Sequence, residues 1–511
     1  MLARQGSRQL SHQRLQRKGS RDDVLPKKFS DGKMPSNINK VPRSLLDLPQ
    51  EILTHILLLL DFRTRCCVVP LISRQLADWT RQPSQLWRNL EVYIPAFLTN
   101  KMLEWMRVRG AGVQSLLLDL WADQECHGAS VEPHSGWLGS LFLTMPQLRN
   151  LSLYLDVGEV GPHIDESDVY ALRMCPGLRK LGLFLSASSA LCCEALDVMS
   201  DLTQLTHLEF HPHSLCIPAG LSSLQNLQVL DLSNNEESVL MDPDDSRTAF
   251  QGLSIPVTRM CLSGIVNGFP DISGLKLLQK LETSRWYRAN GVTPDPMGLT
   301  SNAPQLTWLR CSGSSGVKEE WLEAYISISR LTQLRTLMLA FEGEDAPDPQ
   351  GPVWAPKKLQ AMLHPLSRMS ALQLCGMDIH ELPSCITCLH LSALSLAENW
   401  LLELPAGPYL ASLRFLDIRW NRFEAVPACM LACTRLQHLL MDPGIPDPHA
   451  VVSGLHDQQP NLLDGPAAQA ARCELFELYH CSMRVAGENW PCPDDLPNRA
   501  KSQLYNQTAH A

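Results

Sequence analysis

The stretch LSALSLAENWLLELPAGPYLASLRFLDIRWNRFEAVP, residues 391–427, contains the same pattern twice. The pattern reads LxxLxLxxNxLxxLP, and its second copy begins 22 residues after the first. Residues two apart point to the same face of an extended strand, so each LxL step predicts a short strand with one buried face. The Asn is suited to bind turn backbone, and the LP step ends the unit. One unit cannot bury its apolar face alone, so each requires neighbours on both sides.

The pattern continues in both directions from this stretch. A third copy begins at Met369, again 22 residues away, and a partial copy begins at Leu436. Further upstream only the LxxLxL core persists, with copies beginning at Val113, Leu148, Leu178, Leu205, Leu227, Val257, Leu278, Leu306 and Leu334. These starts make thirteen candidate repeats with spacings of 21 to 35 residues. The longer spacings predict surface insertions at 119–145, 156–175, 235–256 and 343–365.

This pattern resembles that of leucine-rich-repeat proteins over residues 113–445, most specifically within 369–427 and in LQVLDLSNN, residues 227–235. A single LxxLxL could also be an amphipathic helix or a buried strand, but thirteen copies in register favour repeats. The resemblance implies an α/β fold. Its parallel strands should lie on the concave face of a curved solenoid, with helices and irregular segments on the convex face.

A different pattern precedes the repeats, in SLLDLPQEILTHILLLLDFRTRCCVVPLISRQLADWTRQPSQLWRNL, residues 44–90. Pro49 suits the first position of a helix, and Glu51 falls in the first turn, where the helix dipole favours an acid. Apolar residues at helical spacing predict an amphipathic helix over 49–60, and later apolar positions predict one or two further short helices. About 45 residues of short helices form a small core, so a partner is expected.

The spacing LPxEILxxILxxL, followed about 25 residues later by PxxLW, resembles an F-box. In that family the module binds the small adaptor subunit of SCF-type (cullin–RING) ubiquitin ligases. The sequence departs from the family at Gln75, where a Trp is usual, and at Pro70, within a stretch that is usually helical. The alternative is a helical cap for the first repeat. The adaptor-binding residues that the resemblance implies are Leu48, Pro49, Ile52, Ile56, Leu60, Leu71 and Trp87.

Charge divides the chain unevenly. The first forty residues carry a net charge of +7. Because the whole chain carries −9, the remaining residues carry −16. We therefore predict a disordered basic tail over 1–40, with organelle targeting or a nuclear or nucleic-acid contact as alternatives. The acidic remainder gives no reason to expect a nucleic-acid partner. An F-box over 41–95, the repeats over 96–445 and a C-terminal cap with a polar tail over 446–511 complete the predicted organisation.

Composition also bears on location and chemistry. No apolar run reaches the ~18 residues of a membrane span and no signal-peptide pattern is present, so we expect no membrane partner. The 17 cysteines then indicate reduced thiols in the cytoplasm or nucleus. Cys385 and Cys388 form a lone CxxC, where zinc would need a second pair. We expect no catalytic residue, no metal and no cofactor, because no nucleophile–base, phosphate-binding or metal motif occurs in a supporting context.

The repeat pattern also predicts a target-binding face. Side chains at the third, fifth, seventh and eighth positions of LxxLxLxx should point to the concave face. Trp and Arg are enriched at interface hot spots, although packing under an insertion such as 343–365 is an alternative. The predicted target contacts are Arg285, Trp308, Arg310, Arg419 and Trp420.

The sequence thus predicts a non-catalytic substrate receptor of an SCF-type ligase, bound to the adaptor and cullin and to a protein target. A leucine-rich-repeat scaffold or regulator outside a ligase is the main alternative. A receptor that requires a small-molecule co-ligand is a third.

Overall fold

The computed structural model describes residues 45, 48–60, 62, 64–81, 85–95, 99–121, 137–156, 166–185, 197–211, 219–233, 250, 252–263, 272–284, 303–313, 322–341 and 354–441. The chain divides into two units, and Thr54–Leu478 contains the entire described sheet. Of the other unit, only residues 45 and 48–53 are described. The predicted basic tail and C-terminal cap lie outside the described residues, as does Arg285.

Short helices come first among the described residues. The predicted helix over 49–60 is present as α1 (Gln50–Leu58), and a π-helical turn (Thr64–Val68) follows it. Next are α2 (Val69–Ile72), α3 (Arg74–Arg81) and a 3-10 turn (Gln85–Trp87). The other α-helices of the described ranges are α4 (Thr99–Arg109), α5 (Trp137–Leu143), α6 (Glu166–Tyr170), α7 (Leu322–Ser327) and α8 (Pro356–Leu363). Within those same ranges, no helix combines the length and apolarity needed to cross a bilayer.

One parallel sheet of 14 strands follows the chain in strict sequence order. Strands β1 to β7 are Asn89–Pro95, Ser115–Trp121, Asn150–Asp156, Lys180–Leu185, His207–His211, Val229–Leu232 and Arg259–Ser263. Strands β8 to β14 are Lys280–Ser284, Trp308–Gly313, Thr336–Phe341, Ala371–Cys375, Ala393–Ser395, Phe415–Asp417 and His438–Leu440. The prediction of a leucine-rich-repeat solenoid is confirmed by this arrangement.

Every strand begins two residues after the leading apolar residue of its repeat. The thirteen predicted repeats give β2 to β14, and β1 is an additional strand that the sequence pattern did not identify. Its register pairs Leu90 with Leu116 and Val92 with Leu118, so Trp87 occupies the leading position of a fourteenth repeat. The sheet therefore begins inside the segment assigned to the helical module.

The core lies on one face of the sheet because alternate strand residues point there. Leu394, Leu396, Leu416 and Ile418 are fully buried, as the repeat pattern predicts. Return segments cover this core. The 22-residue repeats return through 3-10 turns, Ser384–Cys388 and Pro408–Ser412, whereas longer repeats have room for α5 to α8.

Asparagine side chains hold the turns after the strands. Oδ1 of Asn399 accepts from the backbone N–H of Met377 (3.2 Å) and Ile379 (3.1 Å), while its Nδ2 donates to Leu374 O (2.7 Å). Asn421 binds the Leu401 N–H in the same way at 3.0 Å. One buried amide thus satisfies backbone groups of two consecutive repeats.

Backbone carbonyls line the start of the strands. The carbonyl at the second repeat position accepts two N–H groups from the next repeat, as Arg149 O does from Arg179 (2.6 Å) and Lys180 (3.0 Å). Several accept a hydroxyl as well, for example Gln279 O from Thr307 Oγ1 at 3.3 Å. Donor side chains therefore suit this position, whereas a carboxylate beside these carbonyls would be repelled.

Candidate functional site

The helical segment exposes unusually many large apolar side chains. Leu59 is 87% exposed, Leu71 84% and Ile72 66%, and Leu58 and Val68 are exposed as well. These five side chains lie within 15 residues of sequence, and we call them the apolar cluster. Single exposed apolar residues are ordinary, but such a concentration in one short segment is typical of a protein-binding surface.

The predicted adaptor-binding residues differ in accessibility. Leu71 belongs to the apolar cluster. Pro49 and Ile52 are also exposed, outside that cluster. Leu48, Ile56 and Leu60 are partly buried. Trp87 is fully buried.

The burial of Trp87 corrects its assignment as an adaptor contact. Its indole Nε1 donates to Thr80 O at 3.1 Å. This hydrogen bond links Trp87 to the last turn of α3, just before residues 82–84. Because it is the leading apolar residue of the first repeat, its side chain belongs to the sheet core. A docked partner would not reach it.

Trp87 also joins the helical segment to the first repeat. Its ring meets Trp105 of α4 edge-on, with centroids 4.9 Å apart and planes at 88°. Phe62 packs edge-on against Trp105 at 5.1 Å, and Arg65 Nη1 donates to Leu86 O at 2.8 Å. The helical segment and the first repeat therefore share one core.

The sheet face opposite the core carries the predicted target contacts that the structure describes, Trp308, Arg310, Arg419 and Trp420. Its register aligns the fifth repeat positions in one row across the sheet, from Glu91 to Leu440. The face is not uniformly accessible. The fifth-position side chains are buried on five consecutive strands, at Arg310, Met338, Gln373, Ser395 and Asp417.

The burial of Arg310 contradicts its prediction as a target contact. Arg310 is 5% exposed, and its Nη1 donates to Glu282 Oε1 of the neighbouring strand at 2.5 Å. Glu282 also lies 3.9 Å from Arg259 Nη2. A guanidinium enclosed in this way positions Glu282 and offers little surface to a partner.

Trp308, the first residue of β9 and the third position of its repeat, is partly accessible. The register places it beside Lys280 of β8 and Thr336 of β10. Lys280 is exposed, so an aromatic ring and a cation stand side by side at this point of the sheet.

Arg419 and Trp420 lie together at the end of β13. Arg419 binds Asp417 through two bonds, Nε to Oδ1 at 2.9 Å and Nη2 to Oδ2 at 2.8 Å, and its guanidinium lies 5.1 Å from the Trp420 ring centroid. Trp420 is 43% exposed and has a φ of 53°, in the left-handed region that bulky residues rarely adopt. The same repeat position holds Gly376, with φ 64°, and Glu398, with φ 58°.

Aromatic residues that were not among the predicted contacts lie at the other end of the face. Tyr93, Tyr154 and Phe184 occupy the seventh repeat position of β1, β3 and β4 and are partly exposed. The rings of Tyr154 and Phe184 stack with centroids 3.9 Å apart and planes at 9°. Burial raises the pKa of Tyr93, and the carboxylates of Glu91 and Asp119 raise it further. Applying the seventh-position rule to every predicted repeat would have identified Tyr154 and Phe184, whereas Tyr93 lies in the repeat of β1, which the pattern did not predict.

Little in the described ranges suggests chemistry at a thiol or a metal. Burial raises the pKa of Cys175 to about 11 and those of Cys311 and Cys375 to about 12, so these thiols remain protonated and poorly nucleophilic. Of the CxxC pair, Cys385 is buried and Cys388 exposed. No group of three or more metal-ligating side chains is assembled among the described residues.

Comparison with known proteins yields similarity to structures only. No protein-family model matches the chain, and no curated protein does. An internalin from Listeria monocytogenes is 15% identical, over 69% of this chain and 86% of its own, with a TM-score of 0.38. A leucine-rich-repeat protein of Leptospira interrogans is 18% identical, over 76% of this chain and 97% of its own, with a TM-score of 0.39. The repeat pattern and the 14-stranded parallel sheet together assign the chain to the leucine-rich-repeat fold.

Proposed function

We propose that the chain is the substrate-recognition subunit of an SCF-type ubiquitin ligase. The helical segment binds the adaptor, the exposed sheet face binds a protein target, and the other subunits supply the catalysis. The observation that carries this proposal is the apolar cluster, which lies within the segment that resembles an F-box.

The adaptor half of the proposal rests on the cost of leaving the apolar cluster in water. Burying a valine, leucine or isoleucine side chain contributes about 1.5–3 kcal/mol, so five such side chains favour a protein partner. The resemblance supplies the identity of that partner, the adaptor, and through it the cullin.

The target half rests on the accessible aromatic residues of the sheet face, one of which has the largely buried Arg419 beside it. These are Trp308, Trp420 in its pair with Arg419, and the stacked Tyr154 and Phe184. Rigid aromatic side chains gain much contact area for little lost conformational entropy, which is why they dominate interface energetics.

The adaptor interaction is tested by changing one residue of the apolar cluster. Leu71→Glu in the full-length chain should abolish co-purification of the adaptor and cullin, because a charge would be buried in the interface. Leu402→Glu is the matched control, since Leu402 is 63% exposed within the repeats. Absence of the adaptor from the wild-type preparation would leave the scaffold alternative as the better description. Equal adaptor recovery with wild type and both variants would show that Leu71 does not contact the adaptor.

The target interaction is tested in the same preparations. Proteins recovered with wild type are compared by quantitative mass spectrometry with those recovered with Trp308→Ala and Trp420→Ala. A protein lost from either variant at unchanged adaptor recovery is the expected target. If neither variant changes the recovered set, the exposed sheet face is not the recognition surface.

A further inference from the structure

A cleft of about 430 Å³ opens at the start of strands β8 to β10. Six residues line it: Lys276, Leu277, Gln279, Gln305, Thr307 and Arg335. Two of the six are cations, three are amides or a hydroxyl, and one is a leucine that is 54% exposed. The lining includes no carboxylate, although the chain as a whole carries a net charge of −9.

The two cations are available to a ligand. Lys276 and Arg335 are exposed, and neither side chain forms an ion pair or hydrogen bond within the described part of the chain. By contrast, other polar groups of the lining are engaged. Gln305 Nε2 donates to Leu275 O at 3.1 Å and Thr307 Oγ1 to Gln279 O at 3.3 Å.

Repeat geometry explains only part of this charge pattern. Arg335 occupies the second repeat position, where backbone carbonyls favour donor side chains. Lys276 precedes β8 in a turn and Lys280 lies at the third position, so neither is placed there to satisfy those carbonyls. The two cations that line the cleft, Lys276 and Arg335, therefore have no shared structural reason to be there, and Lys280 adds a third cation on the adjoining strand β8.

The cleft adjoins a predicted target contact. Thr307 precedes Trp308 in the chain, and the register sets Trp308 between Lys280 and Thr336. A polypeptide segment that packs on Trp308 therefore passes beside the cleft that Lys276 and Arg335 line.

We propose that this cleft binds an anionic side chain, a carboxylate or a phosphoryl group, of the polypeptide that packs on Trp308. The ammonium and guanidinium groups form charge-assisted hydrogen bonds with the anion, and Leu277 packs on its aliphatic stem. This inference rests on the proposed target-binding face but does not depend on adaptor binding.

The test uses purified full-length chain and a fluorescent oligoglutamate peptide, with oligoglutamine as the neutral peptide. Binding is measured by fluorescence anisotropy at physiological salt, because exposed charges are screened there as in the cell. Lys276→Gln with Arg335→Gln should weaken oligoglutamate binding about tenfold through the loss of two charge-assisted contacts. The control pair Lys357→Gln with Arg414→Gln removes the same charge elsewhere, and Arg414 shares the second repeat position with Arg335.

Selective weakening by the cleft pair supports the site. Equal weakening by the control pair, or equal binding of the two peptides by wild type, overturns it. Competition by inorganic phosphate and by acetate then separates the sources: preferential displacement by phosphate indicates a phosphoryl ligand, and equal displacement a carboxylate. Adaptor recovery is measured on the same variants and should not change, so a failure here is distinct from a failure of the ligase proposal.

Discussion

At the scale of single residues, Asn399 shows how one side chain connects two repeats. It is buried and serves the backbone of Met377, Ile379 and Leu374 together. Asn399→Ala should lower the free energy of unfolding by at least ~2 kcal/mol, because each buried group left without a partner costs roughly 1–3 kcal/mol. Urea denaturation measures the loss. A change below ~0.5 kcal/mol would mean that water replaces the amide at little cost.

Trp420, by contrast, costs the protein stability, because its left-handed backbone conformation is unfavourable for a tryptophan. A left-handed conformation costs an L-residue about 1–2 kcal/mol, while glycine loses about 0.5–1 kcal/mol in chain entropy. Trp420→Gly should therefore preserve or slightly raise stability while it reduces target recovery. Thermal unfolding and target recovery are measured on the same protein.

Gly376 is the matched control at the same repeat position. A Cβ there would approach Phe341 O to 2.0 Å, so Gly376→Ala should destabilise the protein clearly. Destabilisation by Trp420→Gly as large as that by Gly376→Ala would show that Trp420 is retained for packing.

At the scale of elements, Trp87 tests whether the helical segment is an independent module. Trp87→Ala should cost roughly 3–5 kcal/mol, the usual range for a large buried aromatic residue. Hydrogen exchange should then rise in β1 and in α3 together, because β1 loses the packing of Trp87 on Trp105 and α3 loses the hydrogen bond from Trp87 Nε1 to Thr80 O. Increased exchange confined to α3 would show that β1 is held by the sheet alone.

The elements also show how far the sequence predicts this structure. Thirteen strands begin where the pattern places them, since the spacing of the apolar residues is imposed by the pairing of successive strands. β1 was missed because Trp87 stands where the pattern expects leucine and because its surroundings resemble a helical module. The burial of Arg310 was not predictable, since it depends on Glu282 from another repeat. The cleft likewise combines residues from four repeats.

At the scale of the whole sheet, stability should be shared between neighbours and not across the entire length. Leu416→Ala should cost roughly 2–5 kcal/mol, because Leu416 is fully buried in β13. Repeats contact mainly their immediate neighbours, so hydrogen exchange should increase in β12 to β14 and remain unchanged in β2 to β4. A uniform increase along the sheet would indicate a single cooperative unit.

The shared core around Trp87 limits how this chain can be rearranged. A cut between 95 and 96, where the sequence suggests a boundary, would carry β1 away with the helical segment and leave β2 with a bare edge. Exposed strand edges promote self-association, so the remaining repeats would aggregate. In a chimera, a foreign recognition domain could not simply be fused after residue 95. The transplanted piece would have to retain β1, the Trp105 helix and a second strand to pair with β1.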